Sequence, residues 1–192
     1  IPHGENLCVK AWKLFRSDFD ISNVKIHLHK QIPIGAGLGG GSSDSSFTLK
    51  VLNKLFNLQL GNKELEKYAL KLGADCPFFI DNTPKLVEGI GDKMTNINVD
   101  LSDFKIKLIN PEIHISTSDA YDGVIPITPK LYPKEIIQLS VKEWKGKLKN
   151  DFEDSIFEKY PNLKNLKENL YNEGSIYVSM SGSGSVFYSL NL

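Results

Sequence analysis

Three stretches of the sequence hold residues whose types and spacing suit chemistry. The first is the run Gly35-Ala-Gly-Leu-Gly-Gly-Gly41 with Ser42-Ser43-Asp44 directly after it. Glycine accepts positive φ and close approach, and a helix opening at Ser42-Ser43 adds unpaired N–H groups and a favourable dipole, so these backbone donors can converge on phosphate oxygens. The second is Asp75, on a short loop between Gly73 and Pro77 and beside the apolar Phe78-Phe79-Ile80. A carboxylate there would be partly desolvated and suited to accept a proton, although the residues alone favour an ordinary turn or helix-end aspartate. The third is Gly182-Ser183-Gly184, which by itself reads as a hairpin turn between two strands.

Known phosphate loops narrow the reading of the glycine run. A Walker A loop needs Lys-Ser or Lys-Thr after its last glycine, and here Ser42-Ser43 follow. Gly35, Gly37 and Gly40 satisfy a dinucleotide fingerprint formally, but the preceding segment alternates with Lys and His, and no acid caps a following strand. A bland close-packing turn is disfavoured because each ordered glycine costs roughly 0.5–1 kcal/mol against alanine.

The elements that must position these residues follow from periodicity. Asn6 caps a helix through about Arg16, with Leu7, Ala11, Leu14 and Phe15 on its buried face. Val24, Ile26 and Leu28 alternate with Lys25, His27 and His29, the pattern of a half-exposed strand running toward Pro33. After the glycine run, Phe47, Leu49, Val51, Leu52, Leu55 and Phe56 form a helical stripe. A helix over 63–72 should end at Gly73 in the left-handed conformation. Strands are expected over 85–88, 93–99 and 104–109, short helices over 118–121, 133–139 and 163–170, a loop over 126–133, and closing strands over 176–179 and 186–190. The domain seam is expected near Ser102, giving domains 1–102 and 103–192, with the last strand returning to the first.

Composition excludes several classes. Of the 192 residues 41% are hydrophobic, enough for a folded core, and Lys plus Arg balance Asp plus Glu at 23 each. No global field draws in nucleic acid or anionic membrane, so any anion site is local. Cys8 and Cys76 lie far apart, which points away from a disulfide scaffold or zinc site and toward a reducing, cytoplasmic compartment. No apolar run reaches membrane-span length and no signal peptide is visible. His27 and His29 have no third ligand at a useful spacing, so no metal site is assigned. The opening Ile1-Pro2-His3 is not expected to be a native start.

The run Lys30-Gln-Ile-Pro33-Ile-Gly-Ala-Gly-Leu-Gly-Gly-Gly-Ser-Ser-Asp44 resembles the phosphate-binding motif of the GHMP kinase superfamily, and its triple glycine with Ser-Ser-Asp is similar to the form found in the diphosphocytidyl-methylerythritol kinase branch. Leu72-Gly-Ala-Asp75-Cys-Pro-Phe-Phe79 resembles that branch's catalytic-aspartate segment, and Met180-Ser-Gly-Ser-Gly-Ser185 its third motif. Glu88-Gly-Ile-Gly91, Asn110-Pro111, Ser116-Thr117 and Asn150-Asp151-Phe-Glu153 fall in matching order.

The resemblance implies an α+β GHMP kinase fold: a ribosomal-protein-S5-domain-2-like N-terminal domain, here incomplete, and a ferredoxin-like C-terminal domain. It implies ATP with Mg2+ as phosphoryl donor, and the 2-hydroxyl of diphosphocytidyl-methylerythritol, in non-mevalonate isoprenoid synthesis, as acceptor. Asp75 would be the general base. Lys30, Pro33, Gly35, Gly37, Leu38, Gly39, Gly40, Gly41, Ser42 and Ser43 would hold the nucleotide, with Lys30 equally readable as a solvated lysine. Thr117, Gly182, Ser183 and Gly184 would face substrate, with Thr117 equally readable as an ordinary helix start. Asp44 is open between a helix cap and a Mg2+ role. The partners implied are small molecules, with the chain a monomer or weak homodimer. The family's first motif, carrying a lysine and an asparagine, has no counterpart before Ile1, which leaves open whether this chain turns over. A homoserine, mevalonate or galactose kinase, or a nucleotide-binding module without catalysis, are the alternatives.

Overall fold

The computed structural model describes residues 6–192, so the Ile1-Pro2-His3 opening lies outside the described residues. The chain divides into two compact units, one of residues 6–31 and Gly39–Asn98, the other of Ile32–Leu38 and Val99–Leu192. The division falls within the glycine run, between Leu38 and Gly39.

In the first unit, helix α1 (Leu7–Asp18) starts where Asn6 Oδ1 accepts the Cys8 N–H at 2.9 Å, satisfying one orphan donor of the first turn. Phe15 is fully buried and meets Tyr68 edge-on at 4.9 Å. Burial of a ring of that size contributes about 1.5–3 kcal/mol. Helices α2 (Gly40–Leu55) and α3 (Asn62–Leu70) close the core with Leu49, Leu52, Leu65 and Ala69.

The face α2 buries differs from the expected stripe. Ser45, Ser46, Leu49 and Leu52 point inward, while Phe47, Val51 and Leu55 are 43%, 61% and 62% exposed. These three line a groove of about 390 Å3 whose opposite wall is Val24–Leu28. The strand expected over Val24–Leu28 is absent: its alternation is real, but no described segment supplies the cross-strand N–H and C=O partners that make a strand.

Gly73 ends the α3 region as expected, with its N–H bonded to Ala69 O at 3.2 Å, but its φ is not positive and the left-handed cap is not used. The apolar Phe78-Phe79-Ile80 lies in a single helical turn, α4 (Phe78–Asp81), begun at Pro77. An antiparallel hairpin, β1 (Lys85–Glu88) and β2 (Lys93–Asn96), follows in the register Lys85↔Asn96 to Glu88↔Lys93.

The second unit is built on a three-stranded antiparallel sheet of β3 (Lys105–Ile109), β4 (Tyr177–Met180) and β5 (Phe187–Asn191), ordered β3-β5-β4. The last strand is therefore the centre of this sheet and does not return to the first unit. Both faces are covered, so β4 is buried at every position. Val178, Met180 and Phe187 pack on α5 (Thr117–Tyr121), α7 (Phe152–Lys159) and α8 (Pro161–Asn172). Tyr177 and Leu190 pack on α6 (Pro133–Ile136), Val141 and Trp144. Helix α7 was not anticipated, because its eight residues carry too few periodic apolar positions to stand out.

A pH effect on the first unit follows from Tyr68, whose hydroxyl donates to Asp18 at 2.7 Å. Burial and the Asp18 bond push the Tyr68 pKa up to about 12, against roughly 10 when unfolded. The unfolded chain then loses this proton first, so the stabilisation is complete below pH 10 and disappears as pH rises toward 12. Urea midpoints measured across that window should fall with pH, and the Tyr68→Phe variant should show a shallower fall.

Candidate active site

The mouth of α2 carries no side-chain cap. Its N-cap is Gly39, at φ +63°, which provides no side-chain acceptor for the helix N-terminus. Ser43 N–H already bonds Gly39 O at 2.8 Å, so the N–H groups of Gly40, Gly41 and Ser42 are the first-turn donors without an intrahelical partner. These are the groups a triphosphate would meet. Ser43 keeps its hydroxyl for such a role but not its amide.

Lys30 and Asp44 occupy each other. Their Nζ–Oδ2 distance is 2.5 Å, and both side chains are largely buried. Asp44 is not the helix cap considered for it, because Gly39 holds that position.

Asp75 lies in a tight turn of the same unit. Cys76 N–H closes the turn on Gly73 O at 3.1 Å, and Ser46 Oγ on α2 donates to Cys76 O at 2.7 Å. On the other side, the Ala74 carbonyl is so near Gly91 that a Cβ there would come within 1.9 Å of it. Glu88-Gly-Ile-Gly91 thus has a physical role, since only a glycine lets the hairpin turn seat against the Asp75 turn. Phe79 touches Gly39 across the same region, 2.9 Å from where a Cβ would stand. Asp75 itself is exposed, contrary to the expected partial desolvation: the apolar surroundings bury Cys76 and Pro77, and the carboxylate faces outward.

In the second unit, the leading part of the glycine run joins the third motif. Ser181 Oγ donates to Gly37 O at 2.8 Å, and a Cβ on Gly37 would fall 2.1 Å from Ser181 O and 2.8 Å from Gly184 O. A Cβ on Gly182 would stand 3.0 Å from Gly37 O. Gly35 lies against the His114 ring, and Gly184 packs on Ile115. Thr117 is the exposed first residue of α5, whose cap is Ser116, so of this pair Ser116 does the local structural work. Pro33 is exposed and Leu38 half-buried.

Sequence reading passed over the residues that hold the third motif, noting Asn150-Asp151-Phe-Glu153 only by resemblance. Asn150 Nδ2 donates to the Met180 and Gly182 carbonyls, each at 2.8 Å. Glu153, 3% exposed, accepts the Met180 N–H at 2.9 Å and pairs with Lys167 at 2.5 Å. The available signal was an amide and an acid three residues apart at the start of a helix, too common to single out.

Among the described residues no cluster of three His, Cys, Asp or Glu could hold a metal. Nor is any helix among them long and apolar enough to cross a membrane. Cys8 and Cys76 are free and buried.

Known proteins identify the family to which the chain belongs. The family model for the GHMP kinases N terminal domain matches residues 6–82, and that for the GHMP kinases C terminal region matches residues 134–190. A glycine-run helix mouth and a buttressed aspartate turn within those bounds define a GHMP kinase with the expected α+β fold. The 4-diphosphocytidyl-2-C-methyl-D-erythritol kinase of Azobacteroides pseudotrichonymphae is 50% identical over 188 residues, covering 97% of this chain and 70% of the relative. A crystal structure of 4-(cytidine 5'-diphospho)-2C-methyl-D-erythritol kinase superposes with a TM-score of 0.80 at 31% identity, covering 99% of this chain and 70% of the other. Homoserine kinase from Cytophaga hutchinsonii, at TM-score 0.68 and 18% identity over 97% of this chain and 66% of the other, shares the fold. The chain belongs to the 4-diphosphocytidyl-2-C-methyl-D-erythritol kinase family.

Gly37 tests the contact between the glycine run and the third motif. Alanine there combines a disfavoured φ of +73° with overlap against backbone oxygens. Gly37→Ala should lower stability by about 2–4 kcal/mol, read as a shift in the urea midpoint at unchanged slope.

Proposed function

We propose that this chain transfers the γ-phosphoryl group of ATP to the 2-hydroxyl of 4-diphosphocytidyl-2-C-methyl-D-erythritol, the substrate named for its relatives. The observation that carries the reading is that one helix, α2, presents open N–H groups at its mouth and grips the Asp75 turn through Ser46. Phosphoryl transfer asks for alignment and charge neutralisation, and both can be set from a single rigid element.

In this reading Gly40, Gly41 and Ser42 donate N–H groups to the triphosphate, and Gly35, Gly37, Leu38, Gly39 and Pro33 shape the backbone that leads to them. Ser43 Oγ is the protein oxygen at the helix mouth. Mg2+ accompanying the nucleotide, with Ser43 Oγ as the protein group that would face it, would supply charge neutralisation to the transferred group. Lys30 acts through its pair with Asp44. The Asp75 carboxylate takes the proton of the substrate hydroxyl, whose oxygen bonds to the γ-phosphorus as the bond to the bridging oxygen breaks and ADP leaves. Asp75 is exposed in the free chain, so its carboxylate is open to an acceptor hydroxyl. Thr117, Gly182, Ser183 and Gly184 face the acceptor. Two free, buried thiols support a cytoplasmic compartment, and the chain is proposed as a monomer or weak homodimer.

ADP release coupled to a dehydrogenase assay tests this with the diphosphocytidyl substrate, ATP and Mg2+. Turnover should depend on that substrate, and Asp75→Asn should lower kcat by about 10²–10⁴. Acceptance of homoserine or mevalonate in its place would overturn the substrate, and binding of ATP without turnover of any acceptor would favour a non-catalytic nucleotide module.

A further inference from the structure

Asp75 has no rigid element of its own. It sits inside a four-residue turn, Gly73 to Cys76, whose first and last residues are joined by the Cys76 N–H bond to Gly73 O. Gly91 of the hairpin seats against the turn's Ala74, and the turn's exit carbonyl ties it to α2 by a hydrogen bond. Cys76 O accepts two hydrogen bonds: Phe79 N–H at 3.1 Å, which is local, and Ser46 Oγ at 2.7 Å, which comes from α2. Ser46 is wholly inaccessible to solvent and 30 residues away in sequence. The contact is therefore a shielded bond between the helix that opens on the phosphate position and the turn that carries the acid.

Two neighbouring contacts repeat the tie without reaching the turn itself. Lys50 Nζ, one helical turn beyond Ser46, donates to Ile80 O at 3.0 Å, and Phe79 rests on Gly39. Ser45 is equally buried, yet its hydroxyl donates within the helix to Ser42 O at 3.0 Å and meets Cys76 only through sulfur at 3.4 Å. Ser45 and Ser46 therefore share burial, size and polarity and differ in whether they hold the Asp75 backbone.

We infer that Ser46 is a positioning residue for the phosphoryl-transfer reaction: through the Cys76 carbonyl it sets the distance of the Asp75 carboxylate from the mouth of α2. The inference rests on the reading of Asp75 as general base. Losing the bond leaves the phosphate donors intact and lets the turn drift, and a displacement near 1 Å can cost a hundredfold in rate.

The test compares wild type, Ser46→Ala, Ser45→Ala and Asp75→Asn by steady-state kinetics, equilibrium binding of a fluorescent ATP analogue and thermal melting. Ser46→Ala should lower kcat about tenfold to a hundredfold while the nucleotide affinity stays within twofold of wild type. Ser45→Ala should keep wild-type kcat even where its melting temperature falls as far. Wild-type kcat in Ser46→Ala beside an inactive Asp75→Asn overturns the inference and leaves the proposed function standing. Equal loss of kcat in both serine variants, in step with their melting temperatures, reduces Ser46 to a packing role and also overturns it. Wild-type kcat in Asp75→Asn removes the base assignment itself, and the inference with it.

Discussion

The open N–H groups at the mouth of α2 are the constraint around which the rest of the first unit is arranged. A Ser, Thr, Asp or Asn cap would satisfy one of these donors, and α2 is capped by glycine instead, at a cost of roughly a few tenths of a kcal/mol. The compensation is spread along the helix. Leu49 and Leu52 enter the core with Phe15 and Leu65, and Asn53 bonds the Leu60 backbone through both its amide nitrogen and its carbonyl oxygen at 3.0 Å. With its far end anchored in this way, the near end can be left unsatisfied until a ligand arrives.

Close backbone approach is the second requirement, and it explains glycines that a phosphate cradle alone does not. Gly91 is needed because the β1–β2 turn presses on Ala74, and Gly37 because Ser181 and Gly184 leave no room for a Cβ. Neither argument involves a ligand. In each case the glycine brings a sequence-distant segment against a candidate functional one, so part of the glycine content serves packing around the site.

The sequence displayed the glycine run, the helix after it and the Asp75 turn clearly, because each depends on local chemistry: φ freedom, capping and a Pro-bounded loop. It hid whatever depends on partners. Val24–Leu28 has a strand's alternation and no described neighbour to pair with. The stripe of Phe47, Val51 and Leu55 has a helix's period but faces a groove, while the buried face includes two serines that a hydrophobic pattern discounts. Those serines are tolerated inside because both are hydrogen-bonded, Ser45 to Ser42 O and Ser46 to Cys76 O, which removes most of the cost of burying a hydroxyl. Asn150 and Glu153 were hidden for the same reason, since their value lies in the Met180 and Gly182 backbone they reach 27 to 32 residues away.

Charge at the helix mouth completes the picture. An acid in the opening turns of a helix is favoured by the dipole, yet the same acid repels an incoming polyanion. Asp44 stands in that position, and its carboxylate is matched by Lys30 from the segment just before the glycine run. The pair ties the segment before the glycine run to α2 and offsets the negative charge that Asp44 brings to the first turns of the helix. Partial burial shields the pair from screening, so the neutralisation persists at ionic strengths that would weaken an exposed ion pair. One interaction therefore reconciles an acid near the start of α2 with the open N–H groups at its mouth.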